Sequence, residues 1–450
     1  MFENLKQSNL FSFILACYEF VDKDEYKNIC PANNSWDLAS FTKHCSVNNV
    51  SFSYISLINY LDKKGLLKEL NNKRFVSSVL VYLDDAIFSF EEYQNMFLSD
   101  AKVNLENENY YLIILPENCI AKQIDKNYSQ KIDNGNPGKG LREKRYFNPN
   151  KACHKLGFKH LNFVNKNSLF EIKQNFCSMP TLAKSLKKNI IKIGFFPFVK
   201  VNEEGEPLVK PTHGTGDFSL CYNSKVNYQD KYLDYLKKAF STHAEIIIFP
   251  EISNPFSNTG SIESVLKAEN NDVNKLVVSG SNWYNNKNTC YVFDDCGKLL
   301  VSQDKYNPYC LKKEDGNYYE DLKNVEKMAV NLLHIQAFGL IGFPICSDLL
   351  SSKYVESVYC DCCVTDLLVP CMSKSKDIFS SLPFLSSNYL ISAFVCNAYT
   401  EDNNIIGYYS FPTKDGSKRS SKEFRISNKD VNDTICSGTT IEIDLNKIAK

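Results

Sequence analysis

Phe338-Gly339-Leu340-Ile341-Gly342-Phe343-Pro344-Ile345-Cys346-Ser347-Asp348 carries no charge until its last residue. A short apolar run of this kind, punctuated by Gly and Pro, reads as a buried strand. It ends on a thiol, a hydroxyl and a carboxylate, so it can present a nucleophile at the rim of a sheet. Two other apolar runs end on chemistry. Ile246-Ile247-Ile248-Phe249-Pro250-Glu251 finishes on a carboxylate, and Leu299-Leu300-Val301-Ser302-Gln303-Asp304-Lys305 finishes on an amine. A carboxylate, an amine and a thiol therefore follow three strands, in that chain order.

Strands and helices alternate around these runs. Ile190 to Pro197 is an apolar strand, and Tyr232, Leu233, Tyr235, Leu236 and Phe240 recur at helical spacing over 229–241. A helix begins near Ser261 and leads to the strand Leu276–Ser281. Two hairpin strands, Thr289–Phe293 and Lys298–Ser302, flank Asp294-Asp295-Cys296-Gly297. A loop and a helix are expected between Lys305 and the Cys346 strand, with further strands at Asp366–Pro370 and Ile391–Asn397. This alternation predicts α/β layers over residues 189–450.

The first 188 residues read differently. Residues 1–28 are helical by spacing. From Trp36, the pattern predicts a short helix, a turn at 46–48, a longer helix over 52–69 and a strand at Phe75–Tyr82. Helix, turn, helix, strand suggests an accessory α+β domain over 1–130 with a winged-helix-like order. Tyr82-Leu83-Asp84-Asp85 matches the aspartate pair of a polymerase palm, but too little chain precedes it for a second aspartate motif, so chance explains it. Residues 139–188 hold twelve Lys or Arg against Glu143 and Glu171, in a chain whose overall charge is zero. Residues 131–188 read as a basic linker or arm. Lys144, Arg145, Tyr146 and Phe147 there interleave charge and aromatics as a single-strand nucleic-acid surface does.

Composition narrows the class. A 43% hydrophobic, 23% charged chain of 450 residues is an ordinary globular protein large enough for two domains. No apolar run approaches the ~20 residues that span a bilayer, and Leu10–Cys17 makes a poor leader beside Glu3 and Glu19. The seventeen cysteines thus predict reduced thiols in a cytoplasmic protein rather than a disulfide framework. Cys153, His154, His160 and Cys177 fit no zinc spacing, and neither a metal nor a cofactor is expected.

The ordered set Phe249-Pro250-Glu251, Asn288-Thr289, Asp295-Cys296-Gly297, Lys305 and Ile345-Cys346-Ser347-Asp348 resembles the nitrilase (carbon–nitrogen hydrolase) superfamily, over about 189–445. The resemblance implies an α-β-β-α sandwich and an amidase-like hydrolase with a Glu251–Lys305–Cys346 triad. Glu251 would take the thiol proton and later activate water. Lys305 and the backbone N–H of Ser347 would stabilise the oxyanion. It further implies a second glutamate beyond the lysine, for which Glu314 is the nearest match. Trp283 and Tyr306 are expected as pocket walls around a small amide substrate. A homodimer or higher homo-oligomer is expected too. Ser347, where true nitrilases usually place Trp, favours amide over nitrile chemistry.

Taken one at a time, these residues mean less. Glu251 alone is a helix cap, Lys305 a solvated hairpin residue, and Cys346 an inert core thiol. A Cys–His enzyme is a poor alternative, because all six histidines precede Cys346. Cys360, Cys362, Cys363 and Cys371 read as core thiols. A second function class remains: a nucleic-acid-binding or regulatory protein that uses the nitrilase-like part for sensing or assembly. Two expectations of detail follow from the triad. Lys305→Ala should impair turnover with folding little changed, and Cys346 should be primed toward its thiolate.

Overall fold

The structure, a computed structural model, describes residues 7–22, 38–98, 105–116, 160–167, 169–197, 209–213, 216–222, 227–269, 275–313, 316–322, 327–351, 354–373, 377–389, 391–398, 405–411, 421–425 and 438–445. Lys144–Phe147, Cys153, His154 and Glu314 lie outside these residues. The chain divides into two units, one drawn from 1–117 and 138–167, the other from 118–137 and 168–450.

In the first unit, helices α1 (Leu10–Asp22), α2 (Leu38–Asn48), α3 (Tyr54–Lys63), α4 (Lys73–Ala86) and α5 (Glu91–Asn95) accompany an antiparallel pair, β1 (Tyr110–Ile114) and β2 (Leu161–Asn165). Helix α3 starts where Ser53 and Ser56 cap each other's backbone reciprocally. Tyr18 of α1 stacks on Phe163 of β2 with ring centroids 3.7 Å apart. Phe75–Tyr82, expected as a strand, is the core of α4 instead. Its β-branched residues suggest a strand, but Phe75, Val76, Val79, Leu80 and Leu83 recur at helical spacing and are buried. Asn72 caps the helix by accepting from the Arg74 N–H. The winged-helix order needs a strand here, so that expectation does not fit the fold. Asp84 is buried, and one oxygen accepts the His160 and Leu161 N–H groups at 2.7 Å each, fixing the start of β2.

The second unit begins earlier than expected. Part of the segment read as a basic linker is β3 (Phe170–Cys177) and α6 (Pro180–Lys187). Phe170 and Ile172 point inward between exposed Glu171 and Lys173, an alternation too short to stand out within a basic segment. The unit continues with β4 (Ile190–Phe195), β5 (Val209–His213), β6 (Asp217–Tyr222), α7 (Tyr228–Phe240), β7 (Ile246–Ile248), α8 (Gly260–Ala268), β8 (Leu276–Tyr284) and β9 (Lys287–Phe293). Then come β10 (Leu299–Asp304), β11 (Cys310–Lys313), β12 (Gly316–Glu320), β13 (Met328–Ile335), β14 (Gly339–Gly342) and β15 (Asp366–Cys371). Helix α9 (Asp377–Tyr389), β16 (Ser392–Asn397), β17 (Ile405–Ser410), β18 (Ser421–Arg425) and β19 (Thr439–Asp444) complete it. Where a helix was expected between Lys305 and Cys346, the described residues form β11, β12 and β13.

Two large sheets organise this unit, in strand orders β10-β9-β8-β7-β4-β19 and β18-β17-β16-β15-β14-β13-β3. Helices α7 and α8 cover the first, packing Tyr232, Leu236, Phe240 and Leu266 on Ile247, Phe249 and Val277. The second is covered by α9, where Ser386 Oγ lies 2.8 Å from Ser410 Oγ, and by the segment Val355–Cys360, whose Tyr359 ring fills the space a side chain at Gly342 would need. The sheets face each other where Phe195 of β4 packs on Gly407 of β17 and where Asn331 of β13 bonds Gln303 of β10. The result is helix, sheet, sheet, helix. A smaller sheet, β11-β12-β6-β5, adds to one end.

Gly280 sits in a bulge of β8 with φ +73°, and a Cβ there would run into Ser253 Oγ and the Pro250 carbonyl oxygen. Gly216 also has positive φ, at +87°, but faces open space. Gly280→Ala should therefore cost more than about 1 kcal/mol, and clearly more than Gly216→Ala. Urea midpoints of the two variants measured side by side check this; equal midpoints would contradict the packing argument.

Candidate functional site

Parallel strands end together, so residues just past their C-terminal ends are brought to one rim. Strand β7 leads into Phe249-Pro250-Glu251, and the turn is held by Ile252, whose φ is +56° and whose N–H donates to Ser281 Oγ at 2.9 Å. The Glu251 N–H donates to the carbonyl of Cys371, the last residue of β15, at 3.3 Å. Lys305 directly follows β10, and its N–H donates to the Asn288 carbonyl at 2.8 Å. Strand β14 leads through Phe343-Pro344-Ile345 into a tight turn, Cys346–Leu350. Cys346 itself has φ +47°, a conformation that non-glycine residues seldom adopt.

The side chains lock together. Lys305 Nζ lies 2.7 Å from Glu251 Oε1 and 2.7 Å from Glu320 Oε2. Asn288 Nδ2 donates to Glu251 Oε1 at 2.9 Å and reaches Glu320 Oε1 at 3.4 Å, and the Tyr309 N–H donates to Glu320 Oε2 at 2.9 Å. Asn288, Lys305 and both glutamates are buried. Burial alone would push the Lys305 ammonium down, but Glu251 and Glu320 reverse this and hold it well above its ordinary range. A folded-state pKa raised above the unfolded value stabilises the fold throughout the neutral range. That stability is lost only as pH climbs through the raised value.

A second set of bonds fixes the thiol's turn. Asp348 Oδ1 accepts from the N–H groups of Tyr306 (3.0 Å) and Asn307 (2.7 Å), and Oδ2 accepts from Ile345 N–H (3.0 Å). Asn307 and Ser347 clasp reciprocally. The Asn307 amide donates to the Ser347 carbonyl at 2.6 Å, and the Ser347 hydroxyl donates to the Asn307 carbonyl at 2.5 Å. The residues after Lys305 and after Cys346 are thus laced to one another. Burial raises the Asp348 carboxyl to about 7, against the pull of its three backbone donors and of Lys305.

Cys346 has a neighbour that sequence reasoning passed over. The Cys371 thiol donates to Cys346 Sγ at 3.6 Å. The two thiols share this contact, and holding the Cys346 proton in it, burial, and the negative charge of Glu251 push the Cys346 thiol well above its ordinary range, against the pull of Lys305. This direction runs against the expectation that Cys346 is primed toward its thiolate.

Glu251, Lys305 and Cys346 thus each follow a strand, the first two in one sheet and the third in the other, with Ser347 directly after the thiol. The carboxylate that meets Lys305 from beyond it is Glu320, on β12; Glu314 lies outside the described residues. Fifteen residues and a hairpin separate Lys305 from Glu320, so no local motif marks it. Asn288 was legible as part of a motif, though not as the bridge between two carboxylates. Trp283 is buried directly opposite Asn288 in the β8–β9 pair, so both face the same side. Tyr306 packs on Tyr354 and its hydroxyl accepts from Gln303 at 2.9 Å. Among the described residues, one group of potential metal donors appears, Asp294, Asp295 and Cys296, in the β9–β10 turn.

No protein-family model matches the chain, and no curated protein does. Among solved structures, it is similar to an amidase from Nesterenkonia sp. AN1 in a mutant form with acrylamide added to its active-site cysteine. The identity is 13% and the TM-score 0.38, over 56% of this chain and 92% of that one. A further structure of an amidase from Nesterenkonia sp. gives 12% identity and a TM-score of 0.37, over 57% and 92%. A butyramide complex of a mutant AN1 amidase gives 10% and 0.38, over 57% and 93%.

Two outcomes follow from the buried charges. Lys305→Ala leaves Glu251 and Glu320 facing each other without a cation, so it should destabilise the protein by about 3–5 kcal/mol, contrary to the expectation that folding is little changed. Denaturant unfolding measures it, and a loss below about 1 kcal/mol would contradict the burial argument. Asp348 contributes stability below its unfolded value of 3.8, and that contribution is lost as pH rises toward 7. The stability advantage of the native protein over Asp348→Asn should therefore shrink from pH 4 to pH 8.

Proposed function

We propose that residues 168–450 form a nitrilase-like amidohydrolase that cleaves a non-peptide C–N bond through a Cys346 acyl-enzyme. One observation carries this reading: a buried Glu251–Lys305–Glu320 ion network bridged by Asn288, joined through Cys371 to a thiol on a turn of positive φ. Structural ion pairs do not need a strained cysteine beside them, and strain held in place by surrounding bonds is a mark of function.

In the proposed mechanism, Glu251 accepts the Cys346 proton as sulfur attacks the amide carbon. The carbonyl oxygen gains negative charge, which the Lys305 ammonium and the Ser347 backbone N–H offset. Glu251 then protonates the leaving amine, the C–N bond breaks, and a thioester remains. Glu251 next takes a proton from water. Attack by the resulting hydroxide releases the carboxylic acid, and the proton returns to sulfur. Glu320 and Asn288 act as positioning residues by fixing Lys305 and Glu251. Trp283, on the same side as Asn288, is proposed as a wall of the substrate site. The family resemblance also supports a homo-oligomer, and a reducing, cytoplasmic setting would keep Cys346 as the thiol this mechanism needs.

The test is turnover of a panel of small aliphatic amides, read as ammonia release, together with intact mass after rapid quenching. Cys346→Ala should abolish both turnover and the acyl adduct. Glu251→Gln should slow acylation, and any adduct that forms should persist. Loss of one oxyanion donor costs about 10²–10³ in turnover, which is the fall expected of Lys305→Ala where it remains folded. An acyl adduct retained in Cys346→Ala would refute the assignment.

A further inference from the structure

We propose that Cys346 and Cys371 form a reversible dithiol–disulfide pair, an oxidative modification site through which small hydroperoxides switch the candidate nucleophile off. The geometry points to it independently of any substrate. The two sulfurs lie 3.6 Å apart, in hydrogen-bond contact, and both residues are buried. They come from neighbouring parallel strands: β14 pairs with β15 in the register Ile341↔Asp366 and Gly342↔Leu367. Cys371 closes β15 just as the chain beyond β14 turns at Cys346. A disulfide needs sulfurs about 2.05 Å apart, so closure asks for a shift of roughly 1.5 Å, the scale of a side-chain torsion. The Cys371 backbone is held while this happens, because its carbonyl accepts the Glu251 N–H.

The chemistry balances with hydrogen peroxide as oxidant. Once deprotonated, Cys346 sulfur attacks one peroxide oxygen; an S–O bond forms and the O–O bond breaks. The departing hydroxide takes up a proton to become water. Cys371 sulfur then attacks the sulfenic sulfur. The S–S bond forms, the S–O bond breaks, and the hydroxyl leaves as water with the proton Cys371 gives up. Two thiols lose two electrons, and one peroxide becomes two waters. Cys346 is the sulfur that reacts first in this scheme, because Glu251, whose charge acts directly on it, can serve as the base that takes its proton. The disulfide cannot attack an amide, and it also keeps Cys346 from passing on to the irreversible sulfinic acid.

Only the functional consequence rests on the amidohydrolase reading; the bond itself does not. The test treats the full chain with hydrogen peroxide in mildly alkaline buffer, alkylates remaining thiols under denaturing conditions, and maps peptides. The expected result is a Cys346–Cys371 linked pair, lighter by two hydrogens and separated by dithiothreitol. Cys346 appearing as sulfinic acid while Cys371 remains alkylatable would overturn the proposal. Cys371→Ser should lose the linked pair and accumulate a dimedone-reactive sulfenic acid at Cys346. An unchanged Cys346 product in that variant would overturn it equally. A linked pair in a protein that turns over no amide leaves this inference standing and removes the amidohydrolase. Amide turnover without the linked pair does the reverse.

Discussion

One buried ammonium between two buried carboxylates is the constraint around which the second unit is arranged. Taking three charges out of water costs more than their mutual attraction returns unless every lone pair and proton is met. Asn288 and the Tyr309 N–H supply the extra partners, so the cluster needs β7, β9, β10 and β12 in register at once. A slip in any of these strands would strand a charge in the core. That makes the network a strong specifier of strand order as well as a piece of chemistry.

The thiol is held by different means. No charge pins Cys346; backbone conformation does, with Asp348 gathering three N–H groups and Asn307 clasping Ser347. Because Tyr306 and Asn307 follow Lys305, the same bonds that shape the thiol's turn also fix the amine's. The cluster of charges and the strained turn are therefore one mechanical object. A substitution at Asp348 would act on Lys305 as well as on Cys346, without touching either.

This arrangement keeps the Cys346 thiol above its ordinary range although a lysine is close. Lys305 spends its charge on Glu251 and Glu320, and Cys371 offers sulfur a neutral partner. A resting thiol is less open to adventitious chemistry than a thiolate. In the proposed mechanism it requires a base, and Glu251 lies one hydrogen bond from the strand that carries Cys371.

By itself, the sequence determined the apolar strands that end on Glu251, Lys305 and Cys346. Each signal is local: an uncharged run followed at once by a polar group. The helices α7 and α8 were legible for the same reason, since their period is written within a dozen residues. Other features needed distances that no short window contains. Glu320 reaches Lys305 only because β11 and β12 form a hairpin, and Cys371 reaches Cys346 only because β14 and β15 are neighbours. Phe75–Tyr82 became helix because packing favoured its helical stripe over its β-branched residues, and β3 entered a sheet because β13 offered it an edge. Strand ends are a property of the chain, whereas pairs of residues across strands are a property of the sheet. Only the tertiary structure decides which strand lies beside which.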